Sequence, residues 1–215
     1  MNRIAFFGGT GGLGKELIPL LSEDHRITTI GSKDVDITNR EQVFDFFAEN
    51  DFEVVINFSA FNYDSFLHKL DMTKTDKVKN QLDVNVLGNV NILSACLPMM
   101  RKNNFGRVIG ASSILSSRPI PGTSLYSASK SFIETLYKTA SLENCSKNIT
   151  CNTIQLGYFD GGLAHKIPEE IRNKIVKSIP SKRLGSIEEL NLAIRFLLGV
   201  SYMNGEVLNI NGGLN

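Results

Sequence analysis

Tyr126 and Lys130 stand four residues apart in a stretch, Ser124–Lys147, whose apolar residues repeat at helical spacing. That spacing projects both side chains from one face of a helix. Reducing a ketone requires a proton donor beside the carbonyl that receives hydride. A tyrosine near its free pKa of roughly 10 is a poor acid–base group at neutral pH. A neighbouring ammonium favours the phenolate and lowers that value, which is the task open to Lys130. Ser113 closes the preceding apolar run, where its hydroxyl can hydrogen-bond the carbonyl oxygen. A tyrosine and a lysine at this spacing mean little alone. The inference rests on Ser113, Tyr126 and Lys130 occurring together downstream of a glycine loop.

That loop is Gly8-Gly9-Thr10-Gly11-Gly12-Leu13-Gly14, directly after the first apolar run and at the start of the first helical one. Glycines let a backbone approach a pyrophosphate, and a helix N-terminus offers free N–H groups and the positive end of a dipole. A tight strand-to-helix turn is the competing reading, so position matters: between a first strand and a first helix the loop points to a dinucleotide. A carboxylate at the end of the second strand would bind the ribose 2′-OH of NAD. Here the stretch reads Ile30-Gly31-Ser32-Lys33, and Ser32 with Lys33 can receive a 2′-phosphate. NADP(H) is therefore favoured, with NAD(H) the alternative if Lys33 is only a solvated turn residue. Asp36 and Ile37 stand where an adenine contact is expected.

Positioning these groups requires strands and helices in alternation. Strand-like runs are Arg3–Phe7, Arg26–Ile30, Glu53–Phe58, Arg107–Ala111, Ile149–Gln155 and Glu206–Ile210. Helical patterns span Gly12–Leu21, Asn39–Asn50, about Thr75 to Asn103, Ser124–Lys147, Glu169–Ser178 and Ile187–Leu198. Such alternation predicts an α/β fold, a single Rossmann-type doubly wound parallel sheet flanked by helices on both faces. The 215 residues suit one such domain. Residues 156–185 are irregular and rich in glycine, and ligands in this fold bind beyond the carboxyl ends of the strands. The segment is the candidate substrate lid.

The chain resembles the short-chain dehydrogenase/reductase superfamily over essentially its whole length, closest to the classical branch that includes 3-oxoacyl-acyl-carrier-protein reductases. The resemblance rests on ordered motifs. These are Gly8/Gly12/Gly14, Asp36-Ile37-Thr38, Asn57-Phe58-Ser59-Ala60, Asn85 within Asp83-Val84-Asn85-Val86, Ser113, Tyr126-x-x-x-Lys130 and Arg183-Leu184-Gly185. The ending Asn204-Gly205-Glu206 through Asn211-Gly212-Gly213 also matches. Tyr126 follows Ser113 by thirteen residues, the usual spacing. The resemblance implies an NAD(P)-dependent oxidoreductase interconverting a ketone and a secondary alcohol, with NADPH-dependent reduction favoured. It implies Tyr126 as general acid in reduction, Lys130 on the tyrosine and the ribose, Ser113 orienting the carbonyl, and Asn85 supporting a water-linked proton relay. It also implies Asn57, Ser59 and Ala60 near the cofactor at the fourth strand, with Gly157 and Tyr158 near the nicotinamide. For Asn85 the alternative is hydrogen bonding to backbone groups, and for Asn57 it is support of the sheet centre.

Some positions depart from the family pattern. Phe7 replaces threonine, Ala60 replaces glycine, and Leu156-Gly157 replaces Pro-Gly. Asp160 stands near where the family has a threonine that touches the carboxamide, so a carboxylate replaces that hydroxyl; it can accept from the nicotinamide amide, contact a polyhydroxylated substrate or simply form a turn. The stretch after the second strand is also short. The lid carries His165, Lys166, Arg172, Lys174, Lys177, Lys182 and Arg183 against Asp160, Glu169 and Glu170, which either attracts an anionic, carrier- or nucleotide-linked substrate or forms a solvated face. Phe61, Tyr63, Tyr158 and Phe159 either line a pocket or pack in the core.

A net charge of +1 gives no electrostatic case for nucleic acid or membrane partners, and no stretch approaches the roughly 18 uninterrupted apolar residues of a spanning helix. Three cysteines without CxxC spacing argue against a disulfide framework or metal site and for reduced thiols in the cytoplasm. The helices around Thr75–Asn103 and Ser124–Lys147 are apolar for peripheral elements, and the family's equivalents form a four-helix contact, so a homodimer or homotetramer is expected. A catalytically silent nucleotide-binding or regulatory protein on the same fold remains the alternative in kind, and a sugar-modifying enzyme of the same family the alternative in substrate.

Overall fold

The computed structural model describes residues 1–70, 76–162 and 168–214. Six strands form one sheet: β1 (Arg3–Phe7), β2 (Arg26–Ile30), β3 (Val54–Asn57), β4 (Gly106–Ser113), β5 (Ile149–Leu156) and β6 (Val207–Ile210). All five pairings are parallel, in the order β2-β1-β3-β4-β5-β6. Among the described residues the α-helices are α1 (Gly12–Leu21), α2 (Arg40–Glu49), α3 (Asp76–Leu82), α4 (Gly88–Asn103), α5 (Ser124–Asn144), α6 (Glu169–Ser178) and α7 (Ile187–Gly199).

Parallel strands covered on both faces must be apolar on both, and β1 and β3 are buried almost throughout. Along β1 the side chains alternate between two cores. Ile4 and Phe6 pack with Leu17 of α1 and Leu190 and Ile194 of α7; Ala5 and Phe7 pack with Val43 and Phe47 of α2, Ile92 of α4 and Ile133 of α5. The edge strand β2 alternates exposed and covered residues, as one-sided burial demands.

The chain runs from β1 outward to β2, then crosses back to place β3 on the other side of β1. The strand order therefore reverses between β1 and β3, the place where open α/β sheets bind ligands beyond the carboxyl ends of their strands. The glycine loop leaves β1 at this point, and Phe58-Ser59 leaves β3 beside it.

Three differences from the sequence expectation have local causes. Asn57 ends the third strand of this chain, not the fourth, because residues after β2 turn rather than extend. Gly31 N donates to Asp34 Oδ2 at 2.8 Å, and Asp34 and Val35 N–H groups return to Gly31 O. The helix expected from Thr75 runs from Asp76, Thr75 lying outside the described residues, and it widens into a π-helical turn at Asp83–Leu87. The Ser124–Lys147 helix is α-helical only to Asn144, then tightens over Cys145–Lys147 before Asn148 turns left-handed at φ 53°.

The continuous run Asp76–Asn103 is long and apolar enough, by length and composition alone, to cross a membrane. In the fold it forms part of one helical layer, with Ile92, Leu93, Cys96 and Met100 buried in the same core as β1 and β4.

Candidate active site

The glycine loop divides into positions that pack and positions that face open space. Gly8 adopts φ +78°, and a Cβ there would lie 2.7 Å from the Phe58 carbonyl carbon. A Cβ on Gly14 would lie 2.4 Å from Gly8 O. Both must be glycine for β1, β3 and α1 to meet. At Gly11 and Gly12 an added Cβ would touch nothing within 4 Å. The first turn of α1 therefore opens on an uncluttered cradle, and its N-terminal N–H groups suit an anionic group such as a diphosphate. Leu13 is half-buried, and Thr10 packs so closely on Gly31 that a Cβ there would meet its Oγ1 at 2.4 Å. This contact draws the glycine loop toward the end of β2, where Ser32 and Lys33 are exposed.

The expected adenine-side residues are differently engaged. Asp36 Oδ1 accepts from Thr38 N at 2.9 Å and Thr38 Oγ1 at 2.8 Å, closing its own turn. Ile37 is buried against Gly88 of α4. Asn57 is also buried; its Oδ1 accepts from Ser59 N at 3.0 Å and its Nδ2 donates to Asn89 Oδ1 at 2.9 Å. It thus supports the sheet centre and shapes the Ser59 turn, while Ala60 is exposed.

Ser113 ends β4, Tyr126 lies in the first turn of α5, and Lys130 follows one turn later. Lys130 is buried, its Nζ donates to Ala111 O at 2.8 Å, and it stands 5.6 Å from the Tyr126 ring centroid. Burial pushes the Lys130 ammonium down to about 8, against the opposing pull of the Glu134 carboxylate. Tyr126 departs from the sequence expectation: burial pushes its phenol up to about 12, a hydrogen bond with Ser113 opposes this, and the charge of Asp64 adds to it. Desolvation outweighs any depression by Lys130, whose ammonium is held by a backbone carbonyl.

Asn85 is buried in the π-helical turn, and its amide is consumed by neighbours. Its Oδ1 accepts from Phe61 N and its Nδ2 donates to Phe61 O, both at 2.9 Å, with a further bond to Ser129 Oγ at 3.1 Å. The Asn85 carbonyl accepts from Asn89 Nδ2 at 2.8 Å. The side chain thus bonds to backbone and pins the loop after β3. Gln81 Oε1 does likewise at Tyr63 N, 2.5 Å away.

Residues 156–162 and 184–186 are tied at both ends of the expected lid. Gly185 N donates to Tyr158 O and Asp160 N donates to Gly185 O, at 2.9 and 2.8 Å. Gly157 N donates to Ile210 O at 2.9 Å. Phe159 is buried in the core, whereas Tyr158 is half-buried beside Ile114 and Ile179 and lines a cleft with Arg183 and Asn211. Asp160 pairs with Arg172 of α6 at 2.7 Å. Lys174 pairs with Glu170 at 2.7 Å and Arg183 with Glu189 at 2.6 Å. Three of the cations counted toward an anion-attracting lid therefore have carboxylate partners; His165 and Lys166 lie outside the described residues. Gly162 N donates to Glu16 Oε1 at 2.8 Å, and a Cβ on Gly162 would meet the Gly12 backbone at 2.8 Å, so the segment after β5 reaches the glycine loop.

The sequence reading did not single out Glu134, Ser112, Ser116, Gln155 or Asn89. For Glu134 and Asn89 a signal existed, since each follows an expected site residue by four positions and shares its helical face. For Gln155 and Ser116 only the tertiary packing reveals the link.

A parallel sheet with its glycine loop at the strand-order reversal defines a Rossmann-type fold. A family model described as enoyl-(acyl carrier protein) reductase matches residues 16–215. A 3-oxoacyl-[acyl-carrier-protein] reductase FabG of Chlamydia trachomatis serovar D is 34% identical over 176 residues, covering 80% of this chain and 70% of that protein. An acetoacetyl-CoA reductase of Allochromatium vinosum is 30% identical over 164 residues, covering 75% of this chain and 65% of that protein. A crystal structure of a small-chain dehydrogenase in complex with NADPH shares the fold at a TM-score of 0.86 and 22% identity, covering 99% of this chain and 97% of that one. The chain belongs to the classical type of the short-chain dehydrogenase/reductase superfamily, whose members are NAD(P)-dependent oxidoreductases.

Proposed function

We propose that this chain is an NADPH-dependent reductase converting a ketone to a secondary alcohol, with 3-oxoacyl thioesters the substrate class to test first. One observation carries the reading: Ser113, Tyr126 and Lys130 meet where β4 ends against α5, on the sheet edge from which the open glycine loop also emerges. The names of the relatives supply the substrate class, and NADPH is the ligand of the structural neighbour.

In this reading the bound nicotinamide cofactor supplies the hydride. The Gly11–Leu13 backbone holds the diphosphate, Ser32 and Lys33 the 2′-phosphate, and Lys130 the ribose. Asn57, Ser59 and Ala60 border the crevice, with Asp36 and Ile37 on its adenine side and Gly157 and Tyr158 on the nicotinamide side. Ser113 donates to the carbonyl oxygen, and Tyr126 delivers its phenolic proton to that oxygen as negative charge develops there. A phenol pushed up to about 12 rests in the protonated form, which suits reduction. Asn85 acts through the loop it pins. The segment 156–185, of which 163–167 lie outside the described residues, is the substrate lid over a single domain, in a cytoplasmic homodimer or homotetramer.

The test is a parallel fluorescence titration with NADPH and NADH on the wild type and Lys33→Ala, followed by turnover of acetoacetyl-CoA and crotonyl-CoA. The expected result is NADPH preference, weakened roughly tenfold in Lys33→Ala with NADH unaffected, about 1.4 kcal/mol for one charged contact. Acetoacetyl-CoA is expected to turn over and crotonyl-CoA not. Turnover of crotonyl-CoA alone replaces the ketone reading with reduction of a carbon–carbon double bond. Binding of neither cofactor makes the chain a silent protein on this fold.

A further inference from the structure

The carboxyl end of β4 is held from behind by one side chain that the reductase reading does not use. Glu134, on α5 one turn beyond Lys130, directs a single carboxylate oxygen at three donors from three places in the chain. Ser112 Oγ reaches Glu134 Oε1 at 2.5 Å, Ser116 Oγ at 2.6 Å, and Gln155 Nε2 at 3.3 Å. Ser112 precedes Ser113 in β4, Ser116 belongs to the tight turn that follows, and Gln155 lies on the adjacent strand β5.

Secondary contacts close the cluster. Gln155 Nε2 also donates to Ser116 Oγ at 3.0 Å, Ser117 Oγ donates to Gln155 Oε1 at 3.3 Å, and Ser113 O, 2.7 Å from Ser116 Oγ, is the alternative acceptor for that single hydroxyl proton. Ser113 Oγ itself accepts from Leu115 N at 3.2 Å. With the Ser116 proton directed at it, the Glu134 oxygen takes three donors, which calls for an acceptor without a proton, and hydrogen bonds to an ionised acceptor are roughly twice as strong as neutral ones. Because Ser112 and Ser116 bracket Ser113, tethering both leaves the Ser113 backbone little freedom to move relative to α5.

We propose that Glu134 is a positioning residue of the active site, its carboxylate clamping the two serines that flank Ser113 and so fixing the Ser113 hydroxyl relative to Tyr126. The inference rests on the reductase reading for its catalytic consequence and on the hydrogen-bond cluster for its structural one. Glu134 also lends Lys130 an opposing charge within the same helix. The clamp spans α5, β4 and β5, which carry or adjoin every group assigned to proton delivery.

The experiment compares the wild type, Glu134→Ala and Glu134→Gln in two arms. The first measures NADPH affinity, then kcat and KM with acetoacetyl-CoA. Glu134→Ala is expected to bind NADPH within about threefold of wild type, hold KM within about threefold, and lose at least tenfold in kcat. Glutamine keeps an acceptor oxygen in the same place and is expected to restore kcat to within about fivefold. The second arm follows amide hydrogen exchange at Ser113–Ser117, which needs no substrate. Glu134→Ala is expected to exchange at least tenfold faster there, with Glu134→Gln near wild type.

A kcat for Glu134→Ala within about twofold of wild type overturns the proposal. So does unchanged exchange at Ser113–Ser117, or a Glu134→Gln variant as impaired as Glu134→Ala. A wild type that binds NADPH but turns over no acetoacetyl-CoA sinks the substrate reading instead, and the exchange arm still decides whether the clamp exists.

Discussion

At Tyr126 two influences oppose each other: burial raises the phenol and Ser113 lowers it, and burial wins. The phenol therefore rests protonated, and in the proposed reduction removing its hydroxyl should abolish proton delivery without disturbing the cofactor cradle. Tyr126→Phe is expected to lose at least a hundredfold in kcat with NADPH affinity within about twofold, measured by turnover and fluorescence titration. Lys130 makes a separate statement about stability. Its ammonium falls to about 8 in the folded chain from an ordinary 10.5, so between those values the unfolded chain holds more of the proton and stability rises with pH. Urea unfolding at pH 7.5 and 9.5 should show the wild type gaining about 2 kcal/mol relative to Lys130→Met, at roughly 1.4 kcal/mol per pH unit across the window. No relative gain would mean that Lys130 is not buried as a charge. The spacing of Tyr126 and Lys130 was legible in the sequence because a helix converts four residues into one face. The balance of forces on them was not, because desolvation depends on what the rest of the chain brings over them.

The glycine loop shows how one motif serves two purposes. Gly8 and Gly14 allow backbone-to-backbone contact among β1, β3 and α1, whereas Gly11 and Gly12 border open space. Gly14→Ala is expected to destabilise the fold by several kcal/mol, since its Cβ would meet Gly8 O and neither backbone can yield cheaply. Gly11 has an extended backbone at φ −141°, which alanine adopts without strain. Gly11→Ala should keep its unfolding free energy within about 1 kcal/mol of wild type and weaken NADPH at least tenfold. Thermal unfolding and fluorescence titration on the two variants separate the roles, and unaltered NADPH affinity in Gly11→Ala would remove the diphosphate from this loop. The π-helical turn at Asp83–Leu87 had no periodic signature, since one extra residue in a turn leaves the apolar pattern almost unchanged. It is held by one tertiary contact, Asn85 on the Phe61 backbone, and one local contact, Asn89 on the Asn85 carbonyl four residues back.

At the scale of the molecule, α4 and α5 present a groove lined by Leu93, Leu97, Leu136 and Ala140. A second copy covering this face would bury it, and light scattering at micromolar protein is expected to give a dimer or tetramer. Leu97→Arg should shift that mass to the monomer; a wild-type monomer would remove the expectation. The sequence alone determined the alternation of strands and helices, the all-parallel sheet and the order of the motifs, because burial on both faces and helical periodicity are local signals written into neighbouring residues. It also determined which residue types were available for hydride-linked proton transfer. Only the tertiary structure decided that Asp36 closes its own turn, that Asp160 meets Arg172, and that Glu134 gathers Ser112, Ser116 and Gln155. Each of these depends on elements distant in the chain coming within about 3 Å, or on a turn free to close on itself, and a hydrogen bond of that kind leaves no trace in spacing or composition.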